Sequence, residues 1–176
     1  AHLLDCVPSK AMIATGGAMS FTDNLSGMGL ENRTAEVDVE ALTSRIESIK
    51  NHLSSDVHNL LNSQGVTVIL GSARLASSNT VHVDAADGTT HLLDADDILI
   101  STGSRPRIPA FVTPDGDRIL TTRDCYPPRS FPDSVTIIGS GVTGVEFAHM
   151  FASFGSKVTL VVSRQQVLPS KDPEVA

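Results

Sequence analysis

Three glycines are spaced as G-x-G-x-x-G in Gly139-Ser140-Gly141-Val142-Thr143-Gly144. That spacing suits a backbone wrapped around a pyrophosphate. Gly139 fits a tight turn, Gly141 lets the main chain approach phosphate oxygens, and Gly144 lets the following helix lie close to the strand. The start of that helix, at Val142 and Thr143, offers free N–H groups and the positive end of its dipole. The motif carries weight only inside a βαβ unit. Here Val135–Ile138 reads as a strand, Val142–Phe154 as a helix and Lys157–Val162 as a second strand, so dinucleotide binding is expected. An acid at the end of the second strand would hold the ribose 2′-hydroxyl of NAD, whereas arginine suits the 2′-phosphate of NADP. The chain has Ser163-Arg164 there and no acid, which points to NADPH or to use of both nucleotides.

Other elements must position this loop. Cys6 to Thr15 reads as the start of a helix with Pro8 in its first turn, where the missing N–H has no intrahelical partner. A loop is expected from Ser20 to Thr34. Val39, Leu42, Ile46, Ile49, Leu53, Val57, Leu60 and Leu61 then recur at steps of three and four, an amphipathic helix closed by Gly65. Val66–Leu70 reads as a buried strand ended by Gly71. Thr80–Asp84 and His91–Leu93 read as a hairpin around Asp87-Gly88. Asp97–Thr102 reads as another buried strand running into a turn at Gly103. Six of the nine prolines fall between Ser104 and Pro132, which suggests a connection between domains.

The 176 residues carry 13 Lys+Arg against 20 Asp+Glu, a formal charge of −7. Nucleic-acid partners are therefore not expected, since no basic face is available to displace counterions. No apolar run of about 18 residues suggests a membrane span, and the start lacks the features of a signal peptide. Cys6 and Cys125 make neither a disulfide scaffold nor a zinc site, and the six histidines lack ligand spacing, so no metal is expected. A soluble, cytoplasmic protein is the reading.

Three blocks, Cys6-Val-Pro-Ser-Lys10, Ser101-Thr102-Gly103-Ser104-Arg105-Pro106 and Ile138 to Ala148, together resemble the pyridine nucleotide–disulfide oxidoreductases. That family includes dihydrolipoamide dehydrogenase, glutathione reductase and mercuric reductase. The resemblance implies an α/β fold, with part of an FAD-binding Rossmann-like domain followed by the first βαβ of an inserted NAD(P)-binding Rossmann domain. Residues 1–118 would be the C-terminal portion of the FAD domain. Residues 119–176 would be the linker and the N-terminal portion of the NAD(P) domain. The chain would be an internal segment, inactive alone, of an enzyme that dimerises through a further C-terminal domain.

The same resemblance assigns roles. Cys6 matches the second cysteine of the family's redox pair, and Cys125 matches no motif and is expected to be structural. Lys10 matches the lysine beside the flavin, and Glu146 its carboxylate partner. Thr102 and Gly103 match the turn that approaches the flavin. The first redox cysteine falls on Ala1, and His2-Leu3-Leu4-Asp5 departs from the usual intervening residues. Thiol–disulfide exchange then lacks its attacking nucleophile. The pattern resembles an atypical branch that reduces quinones. The expected function is that of an FAD-dependent NAD(P)H oxidoreductase passing hydride to flavin and electrons to a small quinone-type acceptor. Dihydrolipoamide dehydrogenase or another disulfide reductase is the enzyme alternative, and a non-catalytic dinucleotide-binding remnant is the other. If Cys6 were not reactive, it would be a small packed residue.

Overall fold

A computed structural model describes residues 2–31, 35–163, 166–169, 171–172 and 174. Along the chain come α1 (Val7–Asp23), α2 (Val39–Ser63), β1 (Gly71–Leu75), β2 (Thr80–Ala85), β3 (Thr90–Asp94), β4 (Ser134–Ile138), α3 (Val142–Ser153) and β5 (Lys157–Val161). They pack into two units: Ala1–Asn51 with Pro106–Ala176, and His52–Arg105. The boundary falls within α2.

In the first unit, a single wide π turn, His2–Cys6, leads into α1, with Pro8 in the first turn as expected. The helix continues to Asp23, beyond the loop expected from Ser20. Its last turn is held by side chains: Thr22 Oγ1 donates to the Met19 carbonyl at 2.7 Å and Asn24 Nδ2 to the Ser20 carbonyl at 2.7 Å. The Asn24 bond occupies one of the carbonyls that a helix end otherwise leaves without partners.

The long amphipathic helix stands as expected. Asp38 Oδ1 accepts the Ala41 N–H at 2.9 Å and caps the start of α2. At its other end Gly65 adopts φ 73°, the Gly65 N–H bonds the Asn62 carbonyl, and the Val66 N–H bonds the Leu61 carbonyl. That pair of bonds is the Schellman closure, which favours glycine at the left-handed position.

The core of this unit joins Met12 of α1, Leu42 and Ile46 of α2, Cys125, and Phe147, Met150, Phe151 and Phe154 on and beside α3. Met12 and Ile46 are wholly buried, each side chain contributing about 1.5–3 kcal/mol by leaving water. Phe131 stacks on Phe154 with ring centroids 4.2 Å apart. β4 and β5 pair in parallel, Val135 opposite Val158 and Ile137 opposite Leu160, with α3 as the crossover. The βαβ unit read from the sequence is thus present.

α1 lies against α3 at a glycine. A Cβ on Gly16 would sit 2.8 Å from the Ser153 Cβ. Gly16→Ala is therefore expected to destabilise the protein by about 1–3 kcal/mol, measured by denaturant unfolding. Adding Ser153→Gly should recover most of the loss.

The second unit holds a three-stranded antiparallel sheet in the order β1-β2-β3. The hairpin at Asp87-Gly88 is where the alternation placed it. Gly88 has φ 87°, and Asp87 Oδ1 accepts the Thr89 N–H at 2.9 Å.

Three sequence expectations are corrected in this unit. Val66–Leu70 forms no strand, and Gly71 begins β1 instead of ending a strand. A Cβ on Gly71 would strike the Asp84 carbonyl and the Ala85 Cα, so glycine is what lets β1 pair so closely with β2. The run from Asp97 to Thr102 also forms no strand, and its Leu99 is 91 % exposed. An apolar run becomes a strand only where its N–H and C=O groups meet a neighbouring strand. Among the described residues of this unit, neither run forms a ladder, although the Leu70 carbonyl accepts the Ala86 N–H at 2.7 Å. The apolar stripe at the end of α2 (Leu53, Val57, Leu60) lies exposed as well.

Candidate functional site

The glycine loop lies in the first unit between β4 and α3. Gly139 has φ 113°, a conformation that side chains with a Cβ rarely adopt, and its N–H bonds the Val161 carbonyl at 3.1 Å. Gly141 is exposed, with nothing within 4 Å of the place a Cβ would occupy. The main chain there is open to a ligand. Gly144 differs. Its Cβ would collide with the Gly139 carbonyl and come within 3.7 Å of Leu160 Cδ1, so glycine is needed to seat α3 on the strand loop. α3 starts at Gly141 without a side-chain cap, and Val142 and Thr143 are exposed. Bare N–H groups, an open glycine and a helix dipole fit a dinucleotide pyrophosphate.

The chain after β5 returns to this loop: the Leu168 N–H donates to the Ser140 carbonyl at 2.7 Å. Ser163 is exposed just beyond β5. Arg164, expected to read the ribose, lies outside the described residues, as does Ala1.

One turn into α3, Glu146 reaches α1. Lys10 Nζ lies 2.5 Å from Glu146 Oε1. Ser9 Oγ donates to the other carboxylate oxygen, Oε2, at 3.3 Å, and accepts from Lys10 Nζ at 3.4 Å. The two residues on opposite sides of the proline-rich connection are thus in direct contact. The Lys10 side chain remains 62 % exposed and that of Glu146 28 %. Such a pair adds only about 0–1 kcal/mol to stability. Its main effect is to hold an ammonium at a defined, accessible place.

Tyr126 extends this cluster. Its ring stacks on Phe147 with centroids 4.9 Å apart. Burial first, then the charges of Glu146 and Asp5, push the phenol above its ordinary range, with nearby Ser9 acting against them. Asp5 in turn lies 3.7 Å from Arg123. Of these, Tyr126, Asp5 and Arg123 were not singled out by the sequence. Tyr126 sits in a stretch without periodicity, where no local signal marks a partner.

Cys6 is exposed at the entry to α1, which corrects the alternative of a small packed residue. Cys125 is buried in the core, and both thiols are free. Burial, then the charge of Asp124, raises the Cys125 thiol from 9.0 to about 11. Two units leave about a hundredfold less thiolate near neutral pH. A thiol reagent is therefore expected to modify Cys6 readily and Cys125 at least about a hundredfold more slowly, read by mass spectrometry of the native protein. The raised value also sets a pH dependence. The neutral thiol is favoured in the fold, so its contribution is complete below 9.0 and is lost as pH rises through about 11. Cys125→Ala should flatten that alkaline decline.

Thr102 and Gly103 belong to the second unit. Thr102 is exposed and Gly103 has φ 73°, a turn of the kind the sequence indicated. Among the described residues no group of acids, histidines and cysteines could hold a metal, and no helix is long and apolar enough to cross a membrane.

A family model described as pyridine nucleotide-disulphide oxidoreductase matches residues 1–176. The chain belongs to this family. The α/β fold class expected of pyridine nucleotide-disulphide oxidoreductases is borne out by the crystal structure of LpdA from Mycobacterium tuberculosis. That structure is 36 % identical at a TM-score of 0.88, with 100 % of this chain and 39 % of that one covered. A Mycobacterium tuberculosis protein named NAD(P)H dehydrogenase (quinone) is 36 % identical over 184 residues, covering 100 % of this chain and 37 % of its own length. A dihydrolipoyl dehydrogenase of Zymomonas mobilis is 32 % identical over 171 residues, covering 97 % and 37 %. The chain thus spans little more than a third of the length of these curated relatives. Pyridine nucleotide-disulphide oxidoreductases use FAD and NAD(P)H.

Proposed function

We propose that the chain is the working centre of an FAD-dependent NAD(P)H oxidoreductase that delivers electrons to a quinone-type acceptor. The observation that carries this reading is the Lys10–Glu146 pair, which ties the helix after Cys6 to the helix after the glycine loop. Gly139, Gly141, Val142, Thr143 and Gly144 hold the pyrophosphate of NAD(P)H, with Ser163 and Arg164 at the ribose. In the first unit Lys10 and Cys6 would serve the flavin, and in the second unit Thr102 and Gly103 would form a cofactor-binding turn. Bound FAD supplies acceptance of a hydride and release of its electrons. The ammonium of Lys10, oriented by Glu146, favours the added negative charge of the reduced state. Residues 1–118 belong to the FAD domain and 119–176 to the linker and NAD(P) domain.

Ala1 supports a quinone-type acceptor. Position 1 carries no thiol, and Cys6 has no sulfur partner among the described residues, so exchange with a disulfide substrate has no attacking group. Similarity to a relative named as a quinone dehydrogenase points the same way. The dihydrolipoyl dehydrogenase relatives carry the alternative acceptor. Turnover of the FAD-loaded protein with NADPH and NADH, comparing a naphthoquinone with lipoamide, decides between them. Quinone reduction without lipoamide turnover is the expected result, and lipoamide turnover overturns it. Arg164→Ala is expected to weaken NADPH more than NADH, and equal effects would remove the assigned nucleotide preference. A cytoplasmic homodimer completes the reading, with sedimentation as its check on assembly.

A further inference from the structure

The glycine loop is held from two sides by backbone bonds. On one side the Gly139 N–H donates to the Val161 carbonyl of β5 at 3.1 Å, so that donor is used inside the fold. On the other side the carbonyl of buried Ser140 accepts the Leu168 N–H at 2.7 Å. Among the described residues Leu168 is the only one besides glycines with a positive φ, at 50°. A residue with a Cβ is disfavoured there, and such a conformation persists only where its surroundings hold it. Both backbone groups of Leu168 are held: its N–H by Ser140, and its carbonyl by the Lys171 N–H at 2.8 Å.

A trans peptide is planar, with its C=O and N–H pointing in opposite directions. The Ser140–Gly141 peptide is trans. The bond that takes the Ser140 carbonyl therefore also aims the Gly141 N–H, away from Leu168. Gly141 is exposed and stands at the start of α3, where an N–H has no intrahelical partner. The N–H groups of Val142 and Thr143 are set by α3 itself, whereas the Gly141 peptide precedes the helix and needs a separate tie. We propose that Leu168 is a positioning residue for the pyrophosphate of NAD(P)H, its N–H locking the Ser140–Gly141 peptide before the nucleotide arrives. This rests on the reading of the glycine loop given above and adds to it a residue outside the motif. A loop locked in advance loses less conformational freedom on binding, which tightens the complex.

Replacing the Leu168 amide by an ester removes the N–H and keeps the side chain. In calorimetric titration of the FAD-loaded protein, that variant should bind NADPH about three- to tenfold more weakly, the scale of one hydrogen bond. Leu168→Gly retains the N–H and adopts a positive φ freely, so it should keep most of the affinity. A loss in Leu168→Gly equal to that in the ester would move the effect to the side chain and overturn the lock. Parental affinity in the ester, with Gly144→Val unable to bind, overturns the role of Leu168 and leaves the glycine loop as the nucleotide site. Parental affinity in Gly144→Val overturns the site itself. A further readout needs no variant: the Leu168 amide should exchange its hydrogen slowly in the protein free of nucleotide. Exchange there at the rate of an unstructured amide overturns the lock, even where the ester variant fails to fold.

Discussion

Gly144→Val should abolish dinucleotide binding and lower stability more than any other single change in the glycine loop. The new Cβ would meet the Gly139 carbonyl oxygen and lie 2.9 Å from its carbon, and these are main-chain atoms that cannot rotate aside. Relief requires α3 to lift from the turn. Overpacking of this kind costs about 1–3 kcal/mol. Lifting the helix also carries its N–H groups away from the pyrophosphate, so NADPH affinity should fall about a hundredfold or more, which corresponds to about 3 kcal/mol. Calorimetric titration with NADPH and denaturant unfolding measure the two effects. Gly141→Ala is the control: nothing lies within 4 Å of its Cβ, so stability should hold while nucleotide binding weakens. Parental NADPH affinity in Gly144→Val would remove the loop from the binding site.

Lys10→Gln should separate function from stability. The pair with Glu146 is solvent-accessible, so its loss should change unfolding free energy by less than about 1 kcal/mol. Turnover of the FAD-loaded protein with NADPH should nevertheless fall about a hundredfold, the scale of losing one aligned electrostatic group at a reacting centre. Glu146→Gln should fall in the same direction by less, because the ammonium remains but loses its anchor. A drop in turnover matched by a drop in stability would make the pair a structural tie between α1 and α3. Unchanged turnover in both variants would remove it from the chemistry.

The features legible in the sequence are those decided locally. The glycine loop, the Asp87-Gly88 hairpin and the Gly65 helix stop each depend on residues within a few positions, and the structure contains all three. The Lys10–Glu146 contact is not local, and only the resemblance of three motif blocks suggested it. Val66–Leu70 and Asp97–Thr102 read as strands because apolar runs look alike whether or not a neighbour exists. A strand is a property of two segments, and the second cannot be read from the first. Ser9 lay within the first motif but was given no role, because its contact is with a distant residue, Glu146. Tyr126 had no signal at all: its stacking on Phe147 arises only once the connection has folded back on α3.

With Ala1 at the position of the first redox cysteine, the proposed flavin is the sole redox group through which NADPH electrons would pass. Anaerobic titration of the FAD-loaded protein with NADPH, followed by flavin absorbance, tests it most directly. The flavin should bleach fully with one equivalent of NADPH, and a naphthoquinone should restore the colour. Uptake of a second equivalent, or colour restored by lipoamide and not by quinone, would contradict the account.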